Sequence, residues 1–176
     1  KGYGFMSLNL RRRGTSYVVS PDAQHWTAHP DMPLLDPAVR GTPPAMGGPT
    51  GQVHDTVCFP YEGYYLALYQ DQHDPGNMPI ELAVSRDAES FQHVLPGSKV
   101  IPVGAPGDFD AQTILPSTPI FLEREIRLYY GGGTVRQPPL KGRPRDVAQP
   151  GLATLRRDGF TSISLANPRQ PGSLRS

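Results

Sequence analysis

Cysteine is almost missing from this chain. Cys58 is the single one in 176 residues, so no internal disulfide can form, and its place in an apolar stretch marks a buried, inert thiol. Long apolar runs are missing too: none approaches the roughly 18 residues of a membrane span, and no charged, apolar and cleavable leader opens the chain. Neither sign of charge is in excess, because 17 Lys and Arg face 16 Asp and Glu. A formal charge of +1 gives no electrostatic ground for nucleic acid or an anionic membrane as partner. His25, His29, His73 and His93 are scattered among turns without metal-ligand spacing, so no metal is expected. Gly131-Gly-Gly133 has no Lys-Ser/Thr and no helix behind it, which makes it a turn rather than a phosphate cradle. No cofactor is implied.

What the chain does have is punctuation. Its 21 Pro and 19 Gly lie between short apolar runs rather than in one tract, the pattern of a turn-rich β protein. The length suits one domain with a sizeable core. The clearest stretch runs from Gly51 to Gln70. It predicts a strand over Val53 to Phe59, a tight turn at Pro60-Tyr61-Glu62-Gly63 and a second strand over Tyr64 to Tyr69. Asp55 stands out because Asp is disfavoured in strands, and a carboxylate flanked by Val53, Val57 and Phe59 must find a partner or face a cavity. The arrangement returns downstream: a strand from Asp110 to Leu115, a turn around Glu123-Arg124, and an aromatic strand from Ile126 to Tyr130.

A second repeat is threaded through the first. Ser20-Pro-Asp-Ala-Gln-His-Trp26, Ser85-Arg-Asp-Ala-Glu-Ser-Phe91 and the looser Arg156-Arg-Asp-Gly-Phe160 each follow a short apolar strand. In such Asp-box-like turns the acid accepts N–H bonds from the residues after it, so Asp22, Asp87 and Asp158 are turn stabilisers rather than catalysts. They lie 65 and 71 residues apart. A period of that size holding several short strands points to blades that stack to bury their faces. The fold expected is all-β, part of a β-propeller, with about two and a half four-stranded blades. Residues 1–50 would be a partial blade and crossing, 51–107 a blade ending in Ile80 to Ser85 and Phe91 to Val94, and 108–176 a blade ending in Gly151 to Leu155 and Phe160 to Leu165. Gly2 to Leu8 enters an element already under way, so an N-terminal truncation is expected. Arg11-Arg-Arg-Gly14 reads as a solvated turn before a strand at Ser16 to Ser20. Thr134 to Pro150 is a long, basic, Pro-rich loop, solvated or else a clamp for an acidic ligand.

The sequence resembles the five-bladed β-propeller glycosidase superfamily, and more narrowly proteins described as glycosyl hydrolase family 32 N-terminal-like or arabinanase-like. The resemblance rests on His54-Asp55 with Phe59-Pro-Tyr-Glu-Gly-Tyr-Tyr-Leu66, on Glu81-Leu-Ala-Val-Ser-Arg-Asp87, on Gly107-Asp-Phe-Asp110 with Leu128-Tyr-Tyr-Gly-Gly132, and on Gly151 through Phe160. It implies a funnel at the propeller axis into which innermost strands project acids. By that resemblance Asp55 and Asp110 are the catalytic carboxylates, and Gln52, His54, Tyr61, Gln112 and Tyr130 contact the substrate. The implied activity is hydrolysis of glycosidic bonds in an oligo- or polysaccharide, with one carboxylate as nucleophile or base and another as acid. The partners implied are a carbohydrate substrate and the remaining blades of a longer chain. A secreted or periplasmic place suits an enzyme of polymeric glycans. The invertase-like Trp-Met-Asn-Asp-Pro-Asn-Gly, Arg-Asp-Pro and Glu-Cys motifs are absent, which counts against fructosidase activity. No innermost-strand Glu supplies the acid, for Glu62 sits in a turn and Glu81 opens an outer strand. A non-catalytic carbohydrate-binding propeller and a scaffold are the alternatives.

Overall fold

A computed structural model describes residues 2–9, 12–28, 34–35, 52–72, 77–134 and 148–161, and among these described residues the strands form three antiparallel sheets. The first sheet joins β1 (Gly2–Asn9), β2 (Arg12–Val19) and β3 (Thr27–Ala28) in that order. The second is a meander of β4 (Gln52–Tyr61), β5 (Tyr64–Gln72), β6 (Ile80–Ser85) and β7 (Gln92–His93). In the third, β10 (Glu125–Gly133) pairs on one side with β11 (Ala148–Arg156) and on the other with β8 (Thr113–Pro116) and β9 (Ile120–Phe121). The all-β expectation holds, and among the described residues no helix is long and apolar enough to cross a membrane.

The hairpin from β4 to β5 turns on two residues, with Tyr61 paired to Tyr64. Glu62 and Gly63 both take positive φ, 46° and 79°, the backbone twist that matches two right-twisted strands. The turn is therefore shorter than the sequence suggests, and Pro60 and Tyr61 belong to β4. β2 likewise begins at Arg12, inside the stretch expected to be a polar turn. β8 and β9 form one interrupted strand: Pro116 and Pro119 cannot donate to a ladder, and across the gap the Ser117 hydroxyl donates to Tyr129 O at 2.7 Å. Gly131 to Gly133 are not a turn but the end of β10, paired to β8 on one side and β11 on the other.

Alternation along β5 explains the core. Leu66 and Leu68 face the third sheet, packing with Phe59, Ile80, Leu82, Ile114, Ile126 and Leu128. Ala67 and Tyr69 point the other way, with Val53, Ala83 and Leu35. The middle sheet is thus buried on both faces, between β1 and β2 on one side and β8 on the other. Each large apolar side chain so buried stabilises by roughly 1.5–3 kcal/mol.

Two of the three acidic turns are built as expected. Asp22 Oδ1 accepts from Gln24 N and His25 N at 2.9 and 2.8 Å, and Asp87 Oδ1 from Glu89 N and Ser90 N at 2.8 and 2.7 Å. Hydrogen bonds hold both carboxyls well below the usual carboxylate range, led at Asp22 by the His25 ring and at Asp87 by the Ser90 N–H. The third turn differs: Asp158 accepts the Tyr61 hydroxyl at 2.5 Å, and its own N–H donates back to that oxygen at 3.1 Å. It links the third sheet to the second. Cys58 is half-buried rather than buried. His29, His73, residues 135–147 of the basic loop and 162–165 of the expected last strand lie outside the described residues.

Candidate functional site

Asp55 owes its position to an irregularity. The β4–β5 ladder pairs His54 with Gln70 and then Thr56 with Tyr69, so Asp55 is the extra residue of a β-bulge. A regular strand would set Val53, Asp55, Val57 and Phe59 on one face. The bulge instead sends Val53 into one core and Val57 and Phe59 into the other, and Asp55 is exposed. The sequence implies a carboxylate hemmed in by apolar neighbours; the bulge releases it to solvent. Bulges re-aim side chains in this way beside active sites.

Its neighbour His54 is the opposite, 8% exposed. Gln52 and Gln72 are directly paired across β4 and β5, two residues along from His54 on the same face. Their Oε1 atoms meet His54 Nε2 at 3.1 and 2.9 Å. Two carbonyl acceptors require the proton on Nε2, and Nδ1 then accepts from Arg13 at 3.4 Å. The ring is neutral. Burial chiefly lowers its pKa below the ordinary 6.5, the Gln72 bond opposes that, and the Arg13 charge adds to it. Thr56 Oγ1 donates to His54 O at 3.2 Å and so accepts from Thr15 Oγ1 at 2.5 Å. The Arg13 and Thr15 bonds both run to β2, which fixes the bulge against the first sheet.

Asp110 is not at the start of a strand. It lies in the turn before β8, 9% exposed, and Tyr130 donates its hydroxyl to Asp110 Oδ2 at 2.7 Å. Phe109 stacks on the Tyr130 ring, centroids 6.2 Å apart and planes 12° apart. Three glycines make this packing possible. A Cβ on Gly104 would sit 2.1 Å from Asp110 Oδ1; on Gly132, 2.6 Å from Asp110 Cβ and 2.5 Å from the Phe109 ring; on Gly151, 2.2 Å from the Tyr130 ring. Gly104 N–H also donates to Asp110 O at 3.1 Å. Burial, reinforced by the Asp110 carboxylate, pushes the Tyr130 hydroxyl up to about 12.

Between these two acids the sheets are stitched together. Gln70 Nε2 donates to Ile114 O at 2.8 Å. Met78 pairs with Thr113, with Met78 N to Gln112 O at 2.9 Å and Ile114 N to Met78 O at 3.1 Å. Gln112 N donates to Gly133 O at 3.2 Å. Of the residues named from the sequence, Gln52 and His54 therefore touch one another, as do Asp110 and Tyr130, and Gln112 lies on the seam between the sheets. Tyr61 is separated from all of them. It ends the same strand six residues beyond Asp55, about 20 Å along an extended chain, stacked on Phe121 at 5.2 Å and edge-on to Phe160 at 5.3 Å. It clamps two sheets and does not stack on a ligand beside Asp55.

Sequence reasoning does not reach Arg13, Gln70 or Gln72. Arg13 falls in a stretch expected to be solvated, but it is half-buried on His54. The glutamines do carry a signal, since buried amides in an apolar strand must be committed to partners. Among the described residues no group of three or more His, Cys, Asp and Glu side chains could hold a metal.

No protein-family model and no curated protein matches the chain. Its fold is similar to that of solved structures. One is named "Glycoside hydrolase" and another is described as a BT0996 RGII complex. Each aligns with a TM-score of 0.58 at 15% identity, over 90% of this chain and 40% of the other. The chain thus spans about 40% of the length of the solved chains it resembles, and likeness at that identity shows a glycosidase-like fold.

Proposed function

We propose that the chain is part of a β-propeller glycoside hydrolase acting on an oligo- or polysaccharide, with Asp55 as the carboxylate presented to the sugar. The observation that carries this is the bulge in β4, which exposes one acid on a rigid strand beside a buried, neutral, fully tethered His54. An exposed carboxylate held in place suits a nucleophile or general base. Each glutamine oxygen is committed to His54, so the NH2 groups of Gln52 and Gln72 are what those side chains offer a sugar hydroxyl. The named glycoside hydrolase neighbour supports the carbohydrate reading through the fold.

The propeller itself, five-bladed by resemblance, is supported by the outer face of the third sheet. Leu115, Ile120, Tyr129 and Leu152 are all exposed there, and the register places them on one side, where a further blade of a longer chain would pack. Secretion or a periplasmic place belongs to the same proposal.

A second reading has its own observation. Asp110 is held by Tyr130 and pressed against Gly104, which suits a positioning acid and leaves Asp55 as the open carboxylate of the two; a carbohydrate-binding propeller without hydrolysis needs no more. The two readings separate on one assay. The chain is incubated with a panel of neutral plant and algal oligosaccharides, and new reducing ends and saturable binding are both measured. Hydrolysis by the wild type supports the enzyme; binding without product supports the lectin-like module; the absence of both product and binding overturns both readings.

A further inference from the structure

The residues on either side of Asp55 are both tied to β2, and the two ties differ in kind. β4 is the edge strand of the middle sheet. At the bulge, where its ladder to β5 is interrupted, side chains must hold what backbone bonds do not. Thr56 Oγ1 meets Thr15 Oγ1, a bond between hydroxyls that no change of pH near neutrality touches. Arg13 Nη1 lies 3.4 Å from His54 Nδ1. A guanidinium only donates, so this second bond exists only while Nδ1 offers a lone pair.

A proton taken up by His54 in acid has one place to go. Nε2 already holds the ring's hydrogen and shares it between Gln52 Oε1 and Gln72 Oε1 at 3.1 and 2.9 Å, and those bonds are the same in either charge state. At Nδ1 the new N–H would face the guanidinium, donor against donor and cation against cation. The other elements packed on β4 do not relieve this. On β5, Gln70 and Gln72 are neutral and Asp71 alternates to the opposite face; β1 and β8 contain no Asp, Glu, His, Lys or Arg. Among the described residues two charges act on the ring: Arg13 opposes its protonation and Asp55 favours it. We propose that Arg13 is a positioning residue for Asp55, a latch from the first sheet that closes on neutral His54 and opens when the ring takes a second proton, freeing one flank of the bulge. The proposal rests on Asp55 being the carboxylate presented to the sugar, and adds the contact that makes its fixed pose depend on pH.

The test follows the imidazole nitrogens of isotope-labelled wild type, Arg13→Gln and Arg13→Lys by NMR as pH is lowered from neutrality, with His54→Gln to identify the signal. In the wild type the ring should carry its hydrogen on Nε2 at neutral pH, and the Asp55 and Thr56 amide signals should move with the His54 titration. The amide of Arg13→Gln can donate to Nδ1 or accept from it. That variant should therefore raise the midpoint of the His54 titration by about one pH unit and reduce the movement of the two amides. Arg13→Lys keeps the charge and should titrate near the wild type. An Arg13→Gln midpoint equal to the wild type's overturns the latch; so does, in the wild type alone, a hydrogen on Nδ1 or an Asp55 amide that ignores the titration. These readouts need no ligand. Where the oligosaccharide panel yields product, the acid limb of the rate should follow the His54 titration and move up with it in Arg13→Gln, and an unmoved limb overturns the positioning role. Absence of product counts against the carboxylate reading, while the spectra still decide the latch.

Discussion

The β4 end and the β8 end of the site carry an acid in similar sequence settings, each followed by apolar residues and an aromatic second strand, and the fold uses them oppositely. At β4 the extra residue of a bulge frees Asp55 to solvent, while its neighbour His54 takes the buried, bonded place. At β8 the acid itself is buried: Asp110 is roofed by Tyr130 and Phe109 and admitted only because Gly104, Gly132 and Gly151 have no side chains. One end displays its carboxylate and tethers its support; the other tethers its carboxylate. The difference shows how the local backbone, a bulge at Asp55 and a packed turn at Asp110, rather than residue type, decides whether an acid is available for chemistry.

The largest effect should come from filling the space that the Asp110 end depends on. Gly132→Val places branched carbon against Phe109 and Asp110, and overpacking of this kind costs about 3 kcal/mol, measurable by urea unfolding. A stable Gly132→Val protein would contradict the packing described for Asp110. Next, Tyr130→Phe keeps the ring and removes the donor, leaving Asp110 Oδ2 buried without it. A loss of about 2 kcal/mol is expected for a hydrogen bond to a charged group, again by urea unfolding.

Acid and alkali should separate the two ends. His54 has its pKa lowered by burial, so the unfolded chain takes up the proton first as pH falls below 6.5. The contribution of His54 is full above that value and is lost as pH drops toward the lowered folded one. The carboxyls of Asp22 and Asp87 act in a lower window, below their ordinary 3.8. Tyr130 is raised from 10.0 to about 12, so its contribution is full below pH 10.0 and is lost on the way to about 12. Thermal midpoints of His54→Gln and Tyr130→Phe against pH should flatten the acid and the alkaline limb respectively. The smallest effect belongs to Asp55→Asn, an exposed position whose replacement should shift stability by less than about 0.5 kcal/mol.

Much of this is legible in residue patterns. Short β-branched and aromatic runs between Pro and Gly locate the hairpins, and the Ser-x-Asp repeats locate two turns whose hydrogen bonds form as the local chemistry of Asp requires. What stays hidden depends on pairing across strands. The bulge at Asp55 exists only in the register with Gln70 and Tyr69, and no local signal in β4 announces it. Gly131 to Gly133 look like a turn because glycine usually marks one; here Gly132 serves the close approach of Phe109 and Asp110. Tyr61 is an aromatic near an acid in sequence, yet it is carried by the length of β4 to an aromatic cluster at the far end.

Everything proposed for the site turns on Asp55 being the working carboxylate of a carbohydrate pocket. Release of new reducing ends from the oligosaccharide panel by wild type and Asp55→Asn, with thermal midpoints taken on the same samples, decides it. Product from the wild type and none from Asp55→Asn at an unchanged midpoint is the expected outcome. Equal product from both would remove Asp55 from the chemistry.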